Sequence, residues 1–427
     1  MVSENWTIKS FAEIARYSAG RTPARATPEY WMAADDSVPW VAISDMTEFG
    51  LVSQTKERIS GTAFDEIFGN KAVPAGTLLM SFKLTIGRIA TLGVDACHNE
   101  AIIAIYPHEG VNQSYLGYFL SQVDYDALQD RQVKGNTLNR NKIDRIQVLL
   151  PPQSEQVRIA EFLDHVRRSI DLQDQSLATA QALKRAAMHT LFTRGLRGEP
   201  QKETEIGPVP ESWEPVAVNS VAVVKGGKRM PKGVALTSEN TGQPYIRVTD
   251  FRDHRVDAGQ VLFVPDGYKS VIARYTISSR DVYISIAGTI GLVGQISESL
   301  DGANLTENAA KVSVTDERVT PRFLMYALAS DTCQTQIAQS TATNAQPKLA
   351  LVRIEQLQLP IPPKLDEQRE VVAILDAIDH KIDLHRRKRA MLEELFKALL
   401  HKLMTGGIRA ADLDLSAMVE STDFSQE

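Results

Sequence analysis

Cysteine is nearly absent from this chain of 427 residues, which contains only Cys97 and Cys333. Two thiols so far apart in sequence imply no disulfide framework and fit a reducing compartment. The simplest reading of each is a small buried hydrophobe. No uninterrupted apolar run reaches membrane-spanning length, and the opening stretch from Met1 to Trp6 has no basic-then-apolar leader pattern. The expectation is a cytoplasmic chain with no membrane association. Excess positive charge is lacking too: the net charge is −6, so any nucleic-acid footprint has to be local.

Catalytic patterns are also missing. Gly226-Gly227-Lys228 lacks the upstream glycine and following Ser/Thr of a phosphate loop. No Asn-Pro-Pro-aromatic or Asp-Pro-Pro-aromatic tetrad is present, which speaks against an amino-methyltransferase site. His98 beside Cys97 is an isolated pair without zinc spacing. A self-sufficient methyltransferase or nuclease is therefore disfavoured, and no catalytic residue or metal ligand is expected.

What the chain does have is a repeat. Pro151 to Gly195 opens with prolines and an acid–glutamine pair, Glu155-Gln156, and the chain repeats it at Pro363 to Gly407, where Pro362-Pro363 precede Glu367-Gln368. The first copy carries Ile159, Leu163, Val166, Ile170, Gln173, Leu177, Ala180, Lys184, Ala187 and Leu191 at alternating steps of four and three. Each has a counterpart 212 positions later, from Val371 and Leu375 to Leu403, with polar Gln173 and His385 at the same step. Two heptad-patterned helices follow. Leu163, Leu172, Leu375 and Leu384 are read as core. Ser154 and Asp366 are candidate N-caps, and Gly195 and Gly406-Gly407 are candidate stops.

The duplication extends beyond the helices. Trp6 and Trp213 begin matching segments, and Pro39-Trp40-Val41 returns as Pro244-Tyr245-Ile246. Ser81-Phe82-x-x-Thr85-Ile86-Gly87 returns as Ser285-Ile286-x-x-Thr289-Ile290-Gly291. Strand-like runs at 78–82, 101–106, 282–286 and 311–314 mix with helix-like runs at 115–128 and 321–338 without regular alternation. That predicts α+β globules. The expected order is a globule at 1–152, a helix at 153–197, a linker by composition at 198–212, a globule at 213–363, a helix at 364–407 and an acidic flexible tail at 408–427.

About forty residues at 1.5 Å each make each helix roughly 60 Å long. A parallel pair would need the segment from Arg194 to Trp213 to run back along that whole length, barely reachable at ~3.3 Å per residue. The predicted pair is antiparallel, giving a pseudo-twofold internal repeat.

Several runs resemble the specificity subunits of type I restriction–modification systems. They are Gly20-Arg21-Thr22-Pro23, Glu29-Tyr30-Trp31, Ser81 to Gly87, Asn99-Glu100-Ala101 and Gly135-Asn136-Thr137. Ile206 to Trp213, Thr343 to Leu349 and Pro360 to Gln368 add to them in the second half. The second copy departs in having Arg229-Met230-Pro231 and Glu307-Asn308-Ala309. The resemblance implies two homologous α/β target recognition domains separated by antiparallel coiled-coil helices. It implies a non-catalytic reader of bipartite double-stranded DNA, with two methylation subunits as partners and two restriction subunits where a system has them. It implies no cofactor on this chain; S-adenosylmethionine belongs to the methylation subunit, and ATP and Mg to the restriction subunit. The competing class is a protein-only scaffold or adaptor.

Where the copies differ within a shared frame, reading becomes plausible. Arg, Lys, Asn, Gln and Thr suit phosphates and base edges. The candidate DNA contacts of the first half are Arg21, Thr22, Lys83, Arg88, Lys134, Asn136, Thr137, Asn139, Arg140 and Lys142. Those of the second half are Lys225, Lys228, Arg229, Lys232, Asn344, Gln346 and Lys348. Arg386, Arg387, Lys388 and Arg389 are expected to face outward for the most part, toward DNA, a partner or solvent.

Overall fold

The computed structural model describes residues 5–32, 35–128, 138–341 and 348–413. The chain divides into two compact units, Met1–Asp174 with Arg387–Glu427, and Gln175–Arg386.

The first unit is built on a five-stranded sheet in the order Ala15–Ala19, Ile102–Pro107, Leu78–Ser81, Ile89–Leu92, Gly50–Val52. Its central strands read as continuous apolar runs because both faces are covered. Alternate residues point to opposite faces. Leu78, Met80, Ile103 and Ile105 join a core with Tyr115, Tyr118 and the long helices. Leu79, Ile102 and Ala104 join another with Val41, Met46 and Val52. The second unit repeats the plan with Ala222–Gly226, Ala309–Val314, Val282–Ser285 and Val293–Gly294. In each unit a short antiparallel pair joins the entering and leaving chain: Thr7–Ser10 with Gln147–Leu150, and Glu214–Ala217 with Gln358–Ile361.

The two long helices are Gln153–Arg194 and Leu365–Met404. In the first unit Ile159, Leu163 and Val166, early in one helix, share a core with Phe396, Leu399 and Leu403, late in the other. In the second unit Met188, Leu191 and Phe192 share a core with Val371 and Leu375. Start lies beside end in both, so the helices are antiparallel. Each terminates on a left-handed glycine, Gly195 at φ +63° and Gly406 at φ +70°.

The acid–glutamine pair closes each globule onto its helix. Glu155 accepts from the Trp6 indole at 3.0 Å, and Glu367 from the Trp213 indole at 3.0 Å. Gln156 accepts from the Asn112 amide (2.8 Å) and donates to the Pro151 carbonyl (2.8 Å). Gln368 accepts from the Thr320 amide (3.0 Å) and donates to the Arg318 carbonyl (2.7 Å). Both amides are buried, and removing either would orphan a main-chain N–H at a cost of about 1–3 kcal/mol.

Several expectations need correction. Leu172 and Leu384 are not core; they are 50% and 57% exposed. Each lies nine residues beyond a buried leucine, about 180° around the helix. Ser154 and Asp366 lie inside the first turn rather than at the cap, since the carbonyls of Pro152 and Lys364 already accept from Gln156 and Gln368. The stretch read as a linker contains a hairpin, Gln201–Thr204 with Gly207–Pro210, whose prolines are tolerated because neither strand has a second neighbour. The helix expected over 321–338 is two, Pro321–Ala329 and Asp331–Thr341. They are split at Ser330, whose extended backbone and capping hydroxyl start the second. The 115–128 helix is shorter, Gln113–Ser121. Arg386 and Arg389 do not project freely: Arg386 pairs with Asp253 (2.6 Å) and Arg389 with Asp174 (2.6 Å), while Arg387 and Lys388 are exposed. Residues 414–427 of the expected tail lie outside the described residues.

Candidate nucleic-acid interface

In the first unit three loops converge at one end of the main sheet. The chain leaving Ala15–Ala19 crosses the strand before Ile102, and Arg21 donates its amide to the His98 carbonyl (2.9 Å). A Cβ on Gly20 would stand 2.0 Å from that carbonyl, so only glycine allows the crossing. Phe82 donates to the Ala101 carbonyl (2.9 Å), and Leu138 donates to the Phe82 carbonyl (3.0 Å). The second unit repeats each contact. Lys228 donates to Leu305, Ile286 to Asn308 and Leu349 to Ile286, at 2.9, 2.8 and 2.9 Å. A Cβ on Gly227 would meet the Thr306 carbonyl at 2.1 Å.

The Ser-x-x-x-Thr-Ile-Gly turn has the same internal wiring in both copies. The Ser81 hydroxyl donates to the Thr85 carbonyl and accepts from the Arg88 amide (3.1 Å). Ser285 donates to Thr289 (2.6 Å) and accepts from Leu292 (2.8 Å). The shared residues are thus architectural, and the variable ones ride on a fixed frame.

Arg21, Thr22 and Lys83 come together at the sheet end of the first unit, and Lys228, Arg229 and Lys348 at that of the second. Thr22 donates to Glu100, and Arg21 reaches the Ile67 carbonyl. The Lys83 ammonium lies 5.3 Å from the Phe82 ring, and that of Lys228 lies 5.6 Å from the Tyr275 ring. Arg229 pairs with Glu307 at 2.5 Å. Burial alone would raise the Glu307 carboxyl, but Arg229 and neighbouring donors hold it below its ordinary range. A carboxylate that fixes a guanidinium leaves the remaining N–H groups aimed outward for phosphate or a guanine edge. His98, buried beneath Gly20, has its pKa lowered chiefly by burial.

Other candidates are placed differently. Arg88 donates to the carbonyls of Ile43 and Met46, both at 3.2 Å, and so acts as a strut between loops. Asn139 caps the short helix Arg140–Asp144 through the Lys142 amide (3.0 Å). Arg140 lies 5.7 Å from the Tyr17 ring. Lys225 is exposed on its strand opposite Lys311, and Lys232 is exposed on the following loop. Lys134, Asn136, Thr137, Asn344 and Gln346 lie outside the described residues.

Sequence reasoning missed two features. Arg25 stacks 3.7 Å over the Trp31 ring while paired with Glu57, a contact that sequence spacing could not reveal. Leu84, at the tip of the first turn, is 77% exposed with φ +64°. Its misfit with Gly288 at the same repeat position was the available signal.

Among the described residues no group of three or more His, Cys, Asp or Glu could hold a metal, and no helix is long and apolar enough to cross a membrane. Two α+β units of one plan, each presenting a polar sheet end on a common frame, together with an antiparallel helix pair, define a duplicated recognition scaffold. The profile of the type I restriction modification DNA specificity domain matches residues 3–182 and 210–394, and the chain belongs to that family. It is a DNA specificity subunit, the non-catalytic kind.

Among relatives, it is 22% identical over 422 residues to the type I restriction enzyme MjaVIII specificity subunit of Methanocaldococcus jannaschii, covering 97% of this chain and 95% of that one. It is 26% identical over 289 residues to the EcoBI specificity subunit of Escherichia coli, covering 61% and 58%. The fold is similar to the crystal structure of an S subunit from M. genitalium, with TM-score 0.59 and 13% identity over 93% of this chain and 96% of that one. It is also similar to a chain from a study of complex assembly and conformational transition of the type I R-M system, with TM-score 0.55 and 16% identity over 95% and 98%.

Proposed function

We propose that this chain reads a bipartite duplex, one half-site per unit, and positions two methylation subunits on it, with restriction subunits where the system has them. The observation that carries the reading is the pair of equivalent sheet ends, identical in wiring and different in the side chains displayed. A protein-only scaffold gives no reason for that pattern of constant frame and variable cations. Identical partners need equivalent surfaces. Leu172 and Leu384, one per unit and 212 positions apart, offer each unit the same exposed apolar point on a long helix.

In this reading the helices, 42 and 40 residues long, set the half-site spacing. S-adenosylmethionine is carried by the methylation subunit, and ATP and Mg by the restriction subunit. The complex works in the cytoplasm.

The deciding experiment is single-molecule mapping of adenine methylation in cells carrying this chain and its methylation partner. A two-part motif with a fixed unread spacer is the expected result. Exchange of residues 1–152 for another recognition domain should change one half of that motif; a change in both halves would sink the one-unit, one-half-site assignment. Binding of the purified complex to the mapped duplex should weaken steeply with salt, because phosphate neutralisation releases counterions. Salt-insensitive binding would favour the scaffold.

A further inference from the structure

The turns at 81–88 and 285–292 have the same hydrogen bonds but different tips, Lys83-Leu84 against Ala287-Gly288. The tip position is left-handed in both, φ +64° at Leu84 and φ +76° at Gly288. A bulky side chain rarely adopts that conformation, and glycine adopts it freely. The second unit therefore shows the residue the backbone favours. The first unit carries leucine instead, and folding does not explain it, because Leu84 is 77% exposed. A Cβ at Gly288 would meet nothing within 4 Å, so the position looks into open space.

An exposed apolar side chain in a disfavoured conformation is a hallmark of a site kept for contact rather than for stability. Leu84 follows Lys83, whose ammonium suits a phosphate, and its turn lies at the sheet end with Arg21 and Thr22. An isobutyl group gains nothing from phosphate. On duplex DNA its complement in the major groove is the thymine 5-methyl group, the apolar feature of a base edge there. We propose that Leu84 is a specificity-determining residue of the first unit, reading thymine through its methyl group. The second unit has no equivalent. This rests on the DNA-reading function proposed above.

The test uses the full chain with its methylation partner and two variants, Leu84→Gly and Lys83→Ala. Leu84→Gly suits the left-handed backbone, so its melting temperature should equal or exceed that of the parent. Methylation mapping should show its motif relaxed at one or two positions of a single half-site. At those positions, replacing thymine with uracil in a duplex should weaken the parent by about 3- to 10-fold and leave Leu84→Gly unaffected. Lys83→Ala should lower methylation of the unchanged motif and reduce the salt dependence of binding. An unchanged motif for Leu84→Gly, or a loss spread evenly over both half-sites, overturns the assignment while leaving DNA reading intact. Absence of any two-part motif in the parent removes the DNA-reading function itself, and this assignment with it.

Discussion

Phe49 in the first unit and His254 in the second occupy equivalent turns, both left-handed, at φ +55° and φ +65°. Each turn meets the long helices of its own unit. Phe49 packs against Tyr118 (4.9 Å) and Phe396 (5.8 Å), with the Arg167 guanidinium 5.3 Å from its ring. His254 stands against Tyr326 at 6.1 Å, and there the helices are polar. Lys184, the repeat counterpart of Phe396, pairs with Asp379 at 2.6 Å. The Tyr326 hydroxyl lies 2.6 Å from Asp376 and 2.8 Å from Asp379, so its one proton is shared between the two carboxylates. Arg386 pairs with Asp253, and Arg255 with Asp383. One backbone plan thus holds the same turn chiefly by aromatic packing in one unit, with a single Arg167 hydrogen bond to the Phe49 carbonyl, and by a charge network in the other. Area burial is insensitive to pH and is not weakened by charge screening, whereas a buried charge network depends on every member being present.

Four substitutions test that contrast, read through tryptophan. Trp213 alone reports the second unit, and Trp6, Trp31 and Trp40 report the first. The largest effect is expected for Lys184→Met. Lys184 and Asp379 are only 15% and 11% exposed, so removing one strands the other, at about 3–5 kcal/mol in the second unit. The double variant Lys184→Met/Asp379→Leu should recover most of this in denaturant melts followed at Trp213. A harmless single variant would show that the network is not under load.

Phe49→Ala comes next, with about 2 kcal/mol lost from the first unit in urea; the Arg167 hydrogen bond goes to the Phe49 main-chain carbonyl, which the substitution keeps, so screening by sodium chloride should not enlarge the loss. A salt-dependent loss would mean that Arg167 holds the turn by charge instead.

His254→Phe acts on pH. Burial, then Lys184, lowers the His254 pKa, outweighing the Val293 carbonyl, Asp379 and Asp253, which pull it upward. The fold holds the ring neutral, so below about pH 6.5 the unfolded chain takes up the proton first. Stability is full above that pH and falls as pH drops toward the lowered folded value. His98 imposes the same sign on the first unit. His254→Phe should therefore flatten the acid loss seen at Trp213 and leave that of the other tryptophans in place. Equal flattening in both units would contradict this separation.

The smallest effect is Arg389→Ala, below about 0.5 kcal/mol, because Arg389 and Asp174 are 40% and 48% exposed. A thermal shift of several degrees would instead mark that pair as structural.

The repeat, the helix pair and the α+β globules were legible because each is periodic in sequence. Heptad steps, a 212-residue offset and the Ser-to-Gly turn are patterns a chain displays without its fold. What stayed hidden depends on distant partners. Glu155-Gln156 reads as a helix start, but nothing nearby shows that Trp6 and Asn112 complete it. Arg88 has the chemistry of a DNA contact, yet the carbonyls of Ile43 and Met46 take it. Leu172 and Leu384 read as core by apolarity alone, but their angle around the helix puts them on its outer face. At the candidate interface the frame residues were readable and their assignments to strut, cap or free tip were not. Those depend on which loop crosses which.

The spacing between equivalent residues drifts along the globules. It is 207 at Trp6 and Trp213, 205 at Phe49 and His254, 204 at Ser81 and Ser285, and 208 at Tyr118 and Tyr326. Along the long helices it stays at 212 for every seam position. Loops absorb single residues locally. A continuous helix cannot, because one added residue rotates everything beyond it by about 100°. Additions of three, four, seven or eleven keep the apolar stripe near its partner. A change of length in this helix pair therefore comes in steps, about 10 Å for seven residues.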